Sequence, residues 1–256
     1  MMKNILALML AVLMILSLLT ACGAKTDPPA DAAPAEEAGT EAAPAEESAD
    51  KEDAEQPAEA PALLPGGWAA ADSPALTDEV LDAFSRAVEG LTGVGYEPIA
   101  CLGRQVVAGT NYAVFCRALG VYPDARPFYA VLHIFAGLDG SAEILDITSF
   151  TPAGEPDENA QAAQPVTGGW SVPESDEEGF AALEKAAASL VGAGYRPLCV
   201  MGRQLVNGTN YCLLCEITAV APDAAPHYAF VTVWQSLDGN AEISAVTELD
   251  GSGLPT

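Results

Sequence analysis

The side chains that could carry out chemistry are few, and their spacing does not form a catalytic site. The only histidines are His133 and His227, and no zinc-ligand spacing, phosphate-cradling loop or nucleophile–base pair accompanies them. His133 lies between Leu132 and Ile134 in an apolar run, which favours a structural role. We therefore predict a protein that is not an enzyme and that uses no metal, cofactor or small-molecule substrate.

Cysteine is the other reactive residue type. Five cysteines follow the N-terminal segment: Cys101, Cys116, Cys199, Cys212 and Cys215. Cys101 and Cys116 are equally spaced about the loop between them, so a hairpin there would bring them opposite each other. Their neighbours at 199 and 215 are offset by one residue, which would direct the side chains to opposite faces. Two states stay open: a disulfide in the first pair, or buried free thiols that act as small apolar residues.

An internal repeat organises the rest of the sequence. The decapeptide GRQVVAGTNY at 103–112 returns as GRQLVNGTNY at 202–211, with eight of ten positions identical. The tripeptide GGW precedes both copies, and LDG follows both. The chain therefore carries one module twice, and His133 and His227 occupy non-equivalent positions in it.

The repeats and the composition divide the chain into six segments. These are a signal peptide at 1–22, an acidic stalk at 23–64, a first domain at 65–151, a linker at 152–166, a second domain at 167–249 and a tail at 250–256. The stalk consists mainly of Ala, Pro, Glu and Asp, and it contains too little apolar surface to fold. We expect it to be an extended spacer.

Each repeat shows a helical pattern followed by strand patterns. Thr77 is a predicted N-cap in the first repeat, and Ser175 with Glu178 fits a capping box in the second. Strands are predicted over 112–121, 128–135 and 144–150, with matching runs in the second repeat.

The turn signals complete the predicted fold. Asp139-Gly140 and Asp238-Gly239 are typical of tight hairpin turns, in which both central residues have positive φ. We predict an α+β fold for each of two tandem domains, with one helix packed across a curved antiparallel sheet of about four strands.

The loop inside the repeated decapeptide is unusually apolar. Residues 105–109 (QVVAG) interrupt two predicted strands at a tip that should face solvent, where turn chemistry favours polar residues. We expect a partner to cover Val106 and Val107.

This loop resembles the cystatin family, most closely its stefin branch. QVVAG and the following TNY match the family signature, PGG at 65–67 resembles its glycine-bearing N-terminal trunk, and VWQSL at 233–237 resembles the strand that enters its second binding hairpin. The resemblance implies a cystatin-like fold and a wedge that blocks the cleft of papain-like cysteine proteases. It gives the following contact residues: Gly66, Gly67, Gln105, Val106, Val107, Ala108, Gly109 and Leu138 in the first repeat, and Gly168, Gly169, Gln204, Leu205, Val206, Asn207, Gly208 and Leu237 in the second.

Two departures from the family pattern leave an alternative open. Asn207 replaces the alanine of the loop, and Leu-Asp-Gly stands where inhibitors of this family carry Pro after Leu or a Pro-Trp pair. The alternative is a non-inhibitory surface-binding or adhesion module built on the same fold.

The N-terminus predicts where the protein is displayed. An apolar run after Lys3 ends in LTACG at 19–23, which resembles the lipobox of bacterial lipoproteins, with Cys22 as the lipidated residue. We therefore predict a protein anchored by lipid to the extracytoplasmic face of a cell membrane. The formal net charge of −26 disfavours nucleic acid as a partner.

Overall fold

A computed structural model describes residues 66–160 and 167–256. In the first repeat the elements are β1 (Trp68–Ala70), α1 (Asp78–Ala87), β2 (Val94–Val107), β3 (Gly109–Gly120), β4 (Pro127–Gly137) and β5 (Ala142–Phe150). In the second they are β6 (Trp170–Ser171), α2 (Glu177–Ala187), β7 (Ala193–Val206), β8 (Gly208–Ala219), β9 (His227–Gln235) and β10 (Ala241–Glu248). Strand, helix and four further strands thus follow in the same order twice.

The predicted α+β fold with about four strands per domain is wrong. The described structure is mostly β: it has two five-stranded antiparallel sheets, in the orders β1-β2-β3-β4-β5 and β10-β9-β8-β7-β6, and only two helices. The fifth strand of the first sheet is β1, in which Trp68 pairs with Gln105. This strand follows the predicted trunk at 65–67 and was not predicted, because three residues are too few to show an alternating pattern.

The two helices begin differently. The hydroxyl of Thr77 accepts a hydrogen bond from the backbone N–H of Val80, which confirms the predicted N-cap of α1. The capping box predicted for α2 is wrong. Asp176 is the N-cap, and its carboxylate accepts a bond from the N–H of Val200 in β7 rather than from its own helix. A tertiary contact has therefore replaced the local cap.

The predicted strands agree with β3, β4 and β5, whereas the LDG turns differ in detail. The loop between β4 and β5 has four residues, closed by a bond from the N–H of Gly137 to the carbonyl of Ser141 at 2.9 Å. Gly140 has a φ of 83°, but Asp139 does not have positive φ. The connection is therefore a four-residue loop in which Gly140, and not Asp139, has positive φ, rather than the predicted tight two-residue turn.

Both faces of each sheet are covered. In β8, Leu213 packs with Leu183 of α2, whereas its neighbour Leu214 belongs to the core shared with the first repeat. Adjacent side chains in a strand point to opposite faces, so one face of the sheet meets the helix and the other meets the second sheet. The layers are helix, sheet, sheet and helix, and both repeats belong to one compact unit.

Aromatic side chains form the centre of the contact between the sheets. Phe230 of the second repeat lies with its ring centroid 6.2 Å from that of Phe115 and 5.3 Å from that of Phe150, both in the first repeat. Two tyrosines add hydrogen bonds between the repeats, because the hydroxyl of Tyr129 donates to the carbonyl of Val200, and that of Tyr228 to the carbonyl of Ala71, each at 3.0 Å.

A short turn follows the last strand of each repeat and packs on the other repeat. We call these two segments, 151–156 and 250–255, the return turns. Each is closed by hydrogen bonds and by a bridge back to its own strand, Phe150 with Pro156 and Leu249 with Pro255. The first return turn, apart from Thr151, lies within the predicted linker, and the second forms nearly all of the predicted tail.

The return turns fit against glycines of the opposite repeat. A side chain at Gly202 would collide with the carbonyl of Pro152, and one at Gly103 would collide with the carbonyl of Gly251. The ring of His133 also lies 2.8 Å, through Nε2, from the carbonyl of Ser252. His133 therefore holds the second return turn, which agrees with its predicted structural role.

Replacing Phe230 by alanine should destabilise the first repeat as well as the second. The truncation leaves a cavity between the sheets, and we expect the free energy of unfolding to fall by about 3–5 kcal/mol. Urea unfolding followed by fluorescence, in a chain whose sole tryptophan is Trp68, would report on the first repeat. Val246→Ala, on the exposed outer strand β10, is the control and should change stability by less than about 1 kcal/mol. A Trp68 transition that does not shift with Phe230→Ala would contradict the shared core.

Candidate functional site

The residues singled out in the first repeat come together at one end of its sheet. The N–H of Gly66 donates to the carbonyl of Val106 at 3.2 Å, which joins the start of β1 to the tip of the β2–β3 hairpin. Gly109 pairs with Gly137 on the other side, so Leu138 follows directly beside the hairpin. We call this end of the sheet, formed by 66–67, 105–109 and 138, the first rim.

A chain of amide hydrogen bonds fixes the first rim. The side-chain nitrogen of Gln105 donates to the carbonyl of Gly66 at 2.9 Å, and its oxygen accepts from the side-chain nitrogen of Asn111 at 2.6 Å. Asn111 is itself buried. Asn111 belongs to the repeated decapeptide, but no role was predicted for it. The signal was its recurrence six residues after a glutamine in both copies.

The second repeat forms an equivalent second rim from 168–169, 204–208 and 237. Gln204 donates to the carbonyl of Gly168 at 3.0 Å and accepts from Asn210 at 3.0 Å. The β9–β10 hairpin lies alongside, closed by a bond from Ser236 N–H to the carbonyl of Asn240 at 2.9 Å. All sixteen predicted contact residues therefore lie at the two rims.

Apolar side chains at both rims face solvent. In the first rim Val106 and Val107 are each 41% exposed and Leu138 is 90% exposed. In the second, Leu205 is 64% and Leu237 is 84% exposed. The exposure of these side chains does not stabilise the fold. A partner that covered them would bury their apolar surface, which would favour binding.

The hairpin tips are tight because a glycine follows each of them. Gly109 and Gly208 have φ values of 146° and 109°, and both are buried against the neighbouring strand. A side chain at Gly109 would collide with the carbonyl of Ala136, and one at Gly208 with that of Gln235. These glycines let the tip and the adjacent hairpin approach closely, so their first role is in shaping the rim.

An aspartate follows the leucine of each rim and stays negatively charged. Ser141 donates to the carboxylate of Asp139 through its hydroxyl at 2.6 Å and its N–H at 3.0 Å, and these bonds lower the pKa of Asp139. The hydroxyl of Ser236 lowers the pKa of Asp238 in the same way. Both loops therefore stay negatively charged at mildly acidic pH.

The two rims differ in the residues that support their tips. In the second rim the indole N–H of Trp234 donates to the carbonyl of Asn207 at 3.2 Å, which braces the tip. Phe135 occupies the corresponding place in β4 and has no N–H to donate. The first tip is therefore smaller and more apolar, and the second is braced and carries an amide.

All five cysteines of the described residues are buried free thiols. Cys116 lies opposite Pro98 and Cys101 opposite Val114, so the register does not pair the two thiols as a centred hairpin would. The reason is a pair of irregularities in the pairing of β2 with β3. Burial raises the pKa of Cys101 to about 11 and that of Cys212 to about 12.

The described residues show neither a metal site nor a membrane-spanning helix. Within 66–160 and 167–256 no group of three or more His, Cys, Asp or Glu side chains is placed to hold a metal ion. In the same part of the chain no helix is both long and apolar enough to cross a bilayer. The predicted lipidation site, Cys22, and the predicted stalk lie outside the described residues.

The buried thiols should be inert towards Ellman's reagent in the folded protein. Burial blocks access and raises the thiol pKa, so little reactive thiolate exists at pH 8. We expect all five thiols to react within minutes in 6 M guanidinium chloride and none on that timescale without denaturant. Rapid modification of the native chain would contradict this packing.

Comparison with known proteins does not identify the chain. No protein-family model and no curated protein matches it. The resemblance to cystatins stays a hypothesis that rests on the residues of the two rims.

Proposed function

We propose that this protein inhibits papain-like cysteine proteases, each rim being a wedge that enters the active-site cleft. The observation that carries the proposal is the meeting of three separate segments at each rim. The trunk glycines, the QVVAG-type loop and the LDG hairpin are far apart in sequence, and hydrogen bonds join them at one end of each sheet.

The physical properties of the rims suit a blocking role. Inhibition of this kind needs exposed apolar contacts held on a rigid support, because a flexible loop would lose conformational entropy on binding. Val107 and Leu138 provide such contacts in the first rim, and the Gln105 bonds hold the trunk against the hairpin. No reactive group is required, since the wedge only excludes substrate.

The trunk provides backbone rather than side-chain contact. Gly66 has a φ of 84°, which L side chains rarely adopt, and a Cβ there would meet no other atom within 4 Å. Its open surroundings allow a partner's backbone to approach closely. Gly168 of the second rim has the same features, with a φ of 75°.

Membrane display is part of the proposal. Lipidation at Cys22 would place the protein on the extracytoplasmic face, and the acidic stalk at 23–64 would hold the folded unit away from the bilayer. Proteases that reach the cell surface are then the proposed targets.

Charging both rims should abolish inhibition. Val107→Glu combined with Leu205→Glu places a carboxylate on each tip, where binding would have to desolvate it. We expect the concentration needed for half-inhibition of papain to rise by about 100-fold or more, measured as residual activity titrated with the full chain in detergent. Both positions are exposed strand residues, so these changes test the rim with less risk to folding than substitution of Gly109.

The matched control places the same charges at equivalent positions in the middle of the outer strands β5 and β10. Ile147→Glu with Val246→Glu alters residues that are 37% and 42% exposed, and inhibition should stay unchanged. If the unaltered chain fails to inhibit papain at micromolar concentration, the inhibitor proposal is wrong, and a surface-binding module becomes the better reading. Equal inhibition by the rim variant and the control would show that the rims are not the site.

Replacing Cys22 by serine should release the protein from the membrane. In a bacterial host the unaltered chain is expected to incorporate labelled palmitate and to sediment with membranes. The Cys22→Ser variant should take up no label, since the acceptor sulfur is missing. Equal labelling of both chains would place the anchor elsewhere.

A further inference from the structure

The two rims point in opposite directions. β5 ends at Phe150, at the end of the first sheet far from its rim, and the return turn that follows contacts Gly202. Gly202 lies in β7 four residues before Val206 at the second rim. The far end of the first sheet, opposite the first rim, therefore lies beside the half of the second sheet that carries the second rim.

The second return turn packs on the first sheet in the same way. β10 ends far from the second rim, and the return turn after it contacts Gly103, four residues before Val107 at the first rim. The same turn meets Leu102 through Gly253. The sheets thus pack head to tail, and each rim projects past the far end of the other sheet.

The separation of the rims follows from strand length. β2 has 14 residues, which at about 3.3 Å per residue span roughly 45 Å. Since the sheets overlap head to tail, the rims are separated by about that length. A globular partner of about 200 residues has a radius of gyration near 16 Å, so two partners bound at opposite ends would not collide.

The packing between the sheets leaves both rims free. The second return turn packs on Gly103 and Trp68, and the first packs on Gly202, whereas the rim leucines stay exposed, with Leu138 at 90% and Leu237 at 84%. The two ends are also chemically different, because Asn207 stands in the second tip where Ala108 stands in the first.

We propose that one chain binds two protease molecules at once, one at each end, in a linear protease–inhibitor–protease complex. This inference rests on the proposed function for the kind of partner. The opposed rims exclude the other arrangement, in which both wedges enter one protease molecule. The differences at the tips make the two binding steps unequal in affinity.

The test is the stoichiometry of binding to papain whose catalytic thiol is blocked by carboxymethylation. The full chain in detergent, titrated by calorimetry and sized by sedimentation, should bind two papain molecules. Val107→Glu with Leu138→Glu should reduce this to one, and Leu205→Glu with Leu237→Glu should also reduce it to one. Each variant should keep the affinity of its unaltered rim within about 2-fold, which shows that it is folded.

The outcomes separate this inference from the proposed function. Saturation at one papain by the unaltered chain, with each single-rim variant still binding one, would show that the rims exclude each other and would overturn the inference alone. Loss of all binding in one of the two variants would show a single working rim and would also overturn it. No binding by the unaltered chain would overturn both proposals.

Discussion

The structure depends on the burial of a second apolar face on each sheet. One short helix covers one face, so Phe115 in the first sheet and Phe230 in the second would remain in water if each repeat stood alone. Packing the sheets against each other buries both rings completely or nearly so. The two repeats are therefore one folding unit, although the same module is written twice in the sequence.

This packing also determines how the rims are presented. Each rim is held by local hydrogen bonds around Gln105 or Gln204, but its direction is set by the return turns, which fix the sheets head to tail. Rigid rims would reduce the entropy lost on binding, and the opposed rims are the basis of the proposed binding of two partners. The architecture thus connects core packing to the proposed inhibition.

Comparison of the repeats shows which features the fold requires. Glu97 faces Arg117 across strands in the first repeat, whereas Arg196 faces Glu216 in the second. The acidic and the basic residue have therefore exchanged strands, but opposite charges still face each other. Opposite charges facing each other stabilise neighbouring strands in either order. In the tips, by contrast, the change of Ala108 to Asn207 alters the surface that a partner would meet.

Local signals predicted much of each repeat. Thr77 caps α1, the strands over 112–121, 128–135 and 144–150 form, and the residues of both rims were identified from the repeated decapeptide and its neighbours. The cap and the strands depend on residues close in sequence, whereas the rim segments were identified one by one and are brought together only by the fold. The layer order, the strand β1, the use of Asp176 and the opposed rims were decided only by tertiary structure. Contacts such as His133 with Ser252 join residues 119 apart, and no local pattern encodes which distant apolar face a strand will meet.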